Sequence, residues 1–225
     1  MTEITQQDKW TEVDRYFSDR MHPDDKVLED AIAAGEAAGL PQIQVSATQG
    51  KLLQILAQTL RASSILEIGT LAGYSTICLA RGLRAGGRVV SLEVDPKHAE
   101  VAKANFARAG LSRAIDLRVG NALETLPQLA KESGGNFDLI FIDADKANIP
   151  AYFEWALRMS HPGTLIIVDN VVRDGGVIDA DSEDPSIQGV RSFVEMLAGL
   201  KGLSGTTIQT VGTKGYDGFA IVRVE

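Results

Sequence analysis

The sequence predicts an α/β protein: a doubly wound, mostly parallel sheet of seven strands, with helices before it and an antiparallel hairpin at its end. Three observations carry this expectation. From Ser63 onward the chain repeats strand, turn and helix five times, the rhythm of parallel strands joined by crossover helices. Two of the strands, in FDLIFIDADK and GTLIIVDN, are continuous apolar runs, as expected where both faces of a strand are covered. The closing segments TTIQTVG and GFAIVRVE are joined by a short turn-rich connection, the pattern of a hairpin.

Residues 1–60 read as a helical cover and residues 61–225 as the core, together one domain. Val13, Tyr16 and Phe17 share one helical face. Val27, Leu28, Ala31 and Ile32 form a second stripe, and Leu52, Leu53, Ile55 and Leu56 a third, with Pro41 and Gly50 as punctuation. SSILEIG is the first strand and STICLARGL the helix after it. GRVVSLEV leads into PKHAEVAKANFARAG, a helix opened by Pro96 and closed by Gly110. IDLRVG precedes ALETLPQLAKE, and FDLIFIDA precedes AYFEWALRMS, where Asn148 and Pro150 supply start signals. GTLIIVDN leads through a glycine-rich, acidic loop of about fifteen residues, long enough to be functional in a compact domain, into SIQGVRSFVEMLAGL. Because it follows directly on Asp169 and Asn170, that loop is placed to close over a substrate.

With 225 residues the chain can bury a full core. A formal net charge of −8 argues against broad nucleic-acid binding, which needs a cationic footprint. No apolar run approaches the ~20 residues that span a bilayer, and the polar N-terminus is unlike a signal or transit peptide. The single cysteine, Cys78, can form no internal disulfide, so a reducing, cytoplasmic setting is expected. Cys78, Trp10 and Trp155 read as packing residues. His22, His98 and His161 adjoin no cluster and are assigned no role.

In parallel sheets, ligands bind beyond the carboxyl ends of the strands. The fourth strand ends in Asp143, Asp145 and Lys146, and the fifth in Asp169 and Asn170. If these strands are neighbours, Asp143, Asp169 and Asn170 converge. Two carboxylates and an amide oxygen, with no Cys or His beside them, suit a hard divalent cation: Mg²⁺ first, with Mn²⁺ or Ca²⁺ as alternatives. Alone, Asp143 and Asp145 would be strand-end caps; the second cluster is what favours a metal. A lysine so close to the site suggests chemistry on a hydroxyl group, and Asp145 either orients Lys146 or caps the turn.

The first strand runs into Glu67-Ile68-Gly69-Thr70-Leu71-Ala72-Gly73-Tyr74-Ser75. Leu71 stands where the dinucleotide fingerprint needs its middle glycine, which argues against an NAD-dependent oxidoreductase. Glu67 would also repel a pyrophosphate. A cofactor with a positive charge and no phosphate fits better, and S-adenosylmethionine is one. The second strand ends in Glu93, 24 residues beyond Gly69, where an acid can accept hydrogen bonds from ribose hydroxyls. At the third strand end, Gly120-Asn121-Ala122 offers backbone groups and a small side chain to an adenine.

E-I-G-T-L-A-G-Y-S at 67–75, L-E-V-D-P at 92–96, G-N-A at 120–122, I-D-A-D-K at 142–146 and V-D-N at 168–170 together resemble the cation-dependent class I O-methyltransferases, the catechol and caffeoyl-CoA type. The likeness runs from about Ile43 to the C-terminus. It implies the Rossmann-like methyltransferase fold. It also implies that Val45, Glu67, Gly69, Thr70, Ser75, Glu93, Ala122 and Asp143 lie at S-adenosylmethionine. Asp143, Asp169 and Asn170 match the metal ligands, Lys146 is the catalytic lysine beside Asp143, and a homodimer is implied. Departures are Ser46-Ala47 where the family commonly has Ser-Pro, Ile149 where it has a tyrosine, and Arg173 where an aromatic residue often stands. The last two fall near the expected acceptor pocket, where Tyr152 and Phe153 are further candidates, so they bear on the acceptor more than on the reaction.

The expected reaction is methyl transfer to a catechol-like small molecule held through vicinal oxygens on the cation, with Lys146 accepting the hydroxyl proton. The alternative is a hydroxylated nucleoside in tRNA, which relatives of the family methylate. Arg81, Arg84 and Arg88 would supply its basic contact, and the net charge stands against it.

Overall fold

A computed structural model describes residues 4–21, 25–133 and 136–225. Three helices come first: α1 (Gln6–Met21), α2 (Lys26–Ala37) and α3 (Ala47–Thr59). The alternating part follows as β1 (Ser64–Ile68), α4 (Tyr74–Gly82), β2 (Arg88–Glu93), α5 (Pro96–Arg108), β3 (Ile115–Val119), α6 (Ala122–Ser133), β4 (Phe137–Ile142), α7 (Ile149–Arg158), β5 (Ser160–Asp169) and α8 (Pro185–Gly199). The chain ends in the hairpin β6 (Leu203–Gly212) and β7 (Gly215–Val224). The seven strands form one sheet in the order β3-β2-β1-β4-β5-β7-β6. Strands β1 to β5 are parallel, and β7 inserts antiparallel between β5 and β6. The α/β architecture expected from the strand–helix rhythm is therefore present, hairpin included.

Strand order reverses between β1 and β4, the kind of switch point above whose strand carboxyl ends open α/β sheets bind ligands. The apolar runs are continuous because each strand feeds two cores. Leu66, Ile68, Ile140, Ile142, Ile166 and Val168 face one side, among the side chains of α6, α7 and α8. Alternate residues Ile65, Leu139, Phe141 and Ile167 face the other, with Leu53 and Ala57 of α3 and Ile77 and Leu79 of α4. Helix starts are set by local chemistry. Asp95 caps α5 by accepting the Lys97 N–H (2.7 Å) and the His98 N–H (3.4 Å), ahead of Pro96. Asp184 caps α8 through the Ser186 N–H (2.7 Å), ahead of Pro185.

Several expectations need correction. Gly50 lies inside α3 and does not break it, and Ile55 is half exposed. Pro185 belongs to the first turn of α8 and not to the preceding loop, which also contains a 3-10 turn at Gly176–Ile178. Helix α1 buries no residue: Val13, Tyr16, Phe17 and Met21 remain half exposed or more. His22 lies outside the described residues. Cys78 is in the core as expected, and burial pushes its thiol pKa up to about 12.

Candidate active site

Strands β4 and β5 pair in parallel with Ile142 opposite Val168, so the residues that follow, Asp143 and Asp169, stand at adjacent strand ends. Strand alternation after Phe141 and Ile167 turns both toward the α3–α4 layer. Asp169 is buried, and its Oδ1 accepts the Asn170 N–H at 2.9 Å. Burial, and then the negative charge of Asp143, raise its carboxyl pKa well above the usual carboxylate range. The Lys146 charge, the nearby Gln49 amide and the Asn170 N–H pull the other way.

Lys146 donates from Nζ to Asp143 Oδ1 at 2.7 Å, with the two side chains only 10% and 21% exposed. Asn170 has a left-handed backbone, φ +57°, which asparagine adopts more readily than most residues. The Val171 N–H then bonds to the Gly218 carbonyl (3.0 Å), fixing this turn to β7. Asp217 Oδ1 accepts the N–H groups of Val172 (3.0 Å), Arg173 (2.9 Å) and Gly218 (2.9 Å), holding the loop that leaves the site. Arg173 Nη1 is 3.9 Å from Asp217 Oδ2, and its buried Nε has no hydrogen-bond partner among the described residues. Asp145 accepts from the Tyr152 hydroxyl and from Asn148 Nδ2 (2.6 Å), and its side chain caps no backbone N–H of the turn that follows. Tyr152 and Phe153 are core residues.

Gly69 connects this cluster to the first strand end. Its φ is +101°, its N–H bonds to the Leu92 carbonyl (3.0 Å), and a Cβ here would lie 2.1 Å from the Asp143 carbonyl oxygen. Close crossing of two strand ends therefore requires the glycine, whatever binds above. Beside it, the Thr70 and Leu71 N–H groups donate to Glu93 Oε2 (3.2 and 2.7 Å), and the Asp95 N–H to Oε1 (2.9 Å). The Thr70 hydroxyl is buried against Ser91 Oγ (2.6 Å) and donates to the Leu92 carbonyl (3.1 Å). Glu67 is fully buried and receives hydroxyl donors from Ser75 (2.6 Å), Ser91 (2.6 Å) and Thr76. Burial outweighs the three donors, and Asp143 adds repulsion, so the Glu67 pKa rises to about 7.

Asp143, Lys146, Asp169 and Asn170 are thus brought together, and Glu67, Gly69, Thr70, Ser75 and Glu93 form a hydrogen-bonded collar beside them. Val45 is buried just ahead of α3. Ala122 opens α6, where Asn121 Oδ1 accepts the Leu123 N–H (2.9 Å). Arg81 is engaged by Asp25 of the α2 cap, at 2.5 Å. Sequence reasoning missed Thr76, Ser91 and Asp217. Ser91 had a signal, as the one polar residue between Val89 and Leu92; Asp217 had none, because its partners Val172 and Arg173 lie some 45 residues away in the sequence.

The donor set fits a hard cation, since it offers two carboxylates and an amide oxygen without sulfur or imidazole. Among the described residues no group of three or more His, Cys, Asp and Glu assembles as a metal site. No helix among them is long and apolar enough to cross a membrane.

A sequence model of the family described as O-methyltransferase matches residues 18–218. The chain belongs to that family. It is an S-adenosylmethionine-dependent O-methyltransferase, and the resemblance read from the motifs holds at this level. A protein of Niastella koreensis named catechol O-methyltransferase is 52% identical over 213 residues, covering 95% of this chain and 96% of its own length. One of the same name from Mycobacterium tuberculosis is 51% identical over 221 residues, covering 98% and 99%. Among solved structures, an O-methyltransferase from Bacillus cereus in complex with SAH superposes with a TM-score of 0.95 at 55% identity, covering 96% of this chain and 99% of that one. TomG of Streptomyces achromogenes, an O-methyltransferase of tomaymycin synthesis in complex with SAM, also has a TM-score of 0.95, at 48% identity and covering 98% and 99%.

Proposed function

We propose that this O-methyltransferase is divalent-cation-dependent and methylates one oxygen of a catechol-like small molecule, with Asp143, Asp169 and Asn170 holding the cation and Lys146 acting as base. The observation that carries the reading is the pairing of two carboxylates at adjacent strand ends, one of them buried, with Lys146 at 2.7 Å. Such a pair is electrostatically unfavourable alone, and a divalent cation relieves it. Names of relatives at 51–52% identity support the catechol acceptor.

S-adenosylmethionine supplies the methyl group, and the cation supplies Lewis acidity at the acceptor oxygens. The protein's side chains do the rest. Glu93, with both oxygens already anchored by loop amides, presents its remaining lone pairs to the ribose hydroxyls. Gly69, Thr70, Ser75 and Val45 shape the wall around the methionine portion over buried Glu67, and Ala122 leaves room for the adenine. Lys146 takes the acceptor's hydroxyl proton on Nζ, and Asp143 orients that amine. The remaining acceleration comes from holding donor and acceptor at attack distance.

The half-exposed apolar face of α1 supports a homodimer, and the lone buried cysteine supports a cytoplasmic setting. The test is methyl transfer to a panel of catechols, with Mg²⁺ and with chelator. Cation-dependent monomethylated product supports the proposal, whereas equal turnover of monophenols in chelator sinks it.

A further inference from the structure

We infer that Asp217 is a positioning residue for the methyl acceptor, its carboxylate clamping the backbone turn at 171–173 and so fixing the side of the site that follows Asn170. This rests on the proposed reading of Asn170 as a cation ligand with the acceptor bound beside it. Asp217 lies on β7, outside the strand-end motifs of the parallel strands, yet one of its oxygens holds the segment that leaves β5.

Strand register brings it there. Asp169 pairs with Phe219 across the antiparallel ladder, so Gly218 and Asp217 run on beside the chain that continues past Asp169. The Val171 N–H takes the Gly218 carbonyl at 3.0 Å, which extends the ladder by one bond. Beyond it Asp217 Oδ1 becomes the acceptor, for the N–H groups of Val172 (3.0 Å) and Arg173 (2.9 Å) and for that of Gly218 (2.9 Å). A side-chain oxygen thus stands in for the carbonyls that a longer strand would have offered. The packing is close as well as polar. Val171 and Val172 are buried, and a Cβ on Gly218 would lie 2.7 Å from Val172 Cγ2 and 2.4 Å from the Ile208 carbonyl oxygen.

The clamped segment needs a hold from outside itself. Asn170, Arg173 and Asp174 are all left-handed, at φ +57°, +55° and +54°, and Gly175 follows at +84°. Residues other than glycine keep such backbone only where their surroundings over-determine it, and they gather at functional sites. Release of the Val172 and Arg173 amides would let the turn relax, moving Asn170 at one end and the Arg173 side chain at the other. An ionised acceptor makes the stronger hydrogen bond, and the second oxygen of Asp217 stands 3.9 Å from Arg173 Nη1. One carboxylate therefore holds the main chain firmly and the guanidinium loosely.

The bland alternative is that Asp217 only closes the β6–β7 hairpin, in which case its loss lowers the melting temperature and nothing else. Amide hydrogen exchange and product analysis of wild type, Asp217→Ala and Asp217→Asn separate the two. The Val172 and Arg173 amides should be protected in wild type and lose that protection in Asp217→Ala. With protocatechuate, an unsymmetrical catechol, Asp217→Ala should lower kcat/KM for the acceptor by about 10²-fold and change the ratio of the two monomethylated products, with S-adenosylmethionine affinity unchanged. Asp217→Asn keeps an oxygen for the three N–H groups and should recover most of both losses. Unprotected amides in wild type, an unaltered product ratio in Asp217→Ala, or an Asn variant as impaired as the Ala variant overturns the inference. Should Asp217→Ala not fold, Asp217→Ser, whose shorter side chain also withdraws the acceptor oxygen, carries the same comparison. Wild type that methylates no catechol sinks the proposed acceptor and the positioning role with it, an outcome distinct from an active wild type whose product ratio the variant shares.

Discussion

Gly69→Ala tests how tightly the first and fourth strand ends are locked together. Its Cβ would lie 2.1 Å from the Asp143 carbonyl oxygen and 2.7 Å from the carbonyl carbon, both backbone atoms that no rotamer can move. The collision adds to a backbone already at φ +101°. Left-handed strain costs ~1–2 kcal/mol, and forced overpacking of a closed site ~1–3 kcal/mol, so the variant should lose roughly 2–5 kcal/mol. For a chain of this size that is a melting temperature lower by about 4–20 °C. Gly163→Ala is the control: its φ is +98° but nothing lies within 4 Å of its Cβ, so only the strain should appear, about 2–8 °C. Activity should separate the two further. Displacing the Asp143 backbone moves the carboxylate and its lysine, and a misplacement of ~1 Å costs about 10²-fold in rate. Scanning calorimetry and kcat/KM for both variants decide the matter. Equal melting temperatures, or a fully active Gly69→Ala, would refute the steric argument.

Replacing Lys146 by Met should lower kcat by roughly 10²–10⁴-fold while leaving cation affinity nearly intact, because its role is proton transfer; an unchanged kcat across pH removes that role. Asp143→Ala should abolish cation-stimulated transfer with the fold retained by circular dichroism, and stimulation by Mg²⁺ at the wild-type level would contradict the ligand assignment. Glu67, fully buried with its pKa at about 7, favours the folded state in its protonated form. Its contribution is full below its unfolded pKa and is lost as pH rises through about 7. Urea unfolding at pH 5 and pH 8 should therefore show wild type losing up to ~3 kcal/mol that Glu67→Gln does not lose; parallel pH slopes would contradict this.

The α/β core was legible because its signals are local. The strand–helix rhythm, the helix caps and prolines, and the apolar runs of β4 and β5 each follow from neighbours in sequence. The cluster of Asp143, Lys146, Asp169 and Asn170 was legible for the same reason, since each residue sits at the end of a recognisable strand. What the sequence concealed is long-range. Asp217 on β7 organises the loop after Asn170 through contacts that no periodicity announces. Gly69 was singled out as a tight turn able to approach a ligand, and its close neighbour in the structure is the Asp143 backbone. The stripe on α1 does lie on a helix, but amphipathic spacing shows that a face is apolar, not that this chain covers it, and Val13, Tyr16 and Phe17 stay half exposed.

The central claim is that the carboxylates at the ends of β4 and β5 work through a divalent cation. The most direct measurement is the rate of methyl transfer from S-adenosylmethionine to catechol by chelator-treated protein as Mg²⁺ is restored, in wild type and in Asp169→Ala. A saturable return of activity in wild type and none in Asp169→Ala is the predicted result. Full activity in chelator, or an equal response of both proteins to Mg²⁺, would contradict it.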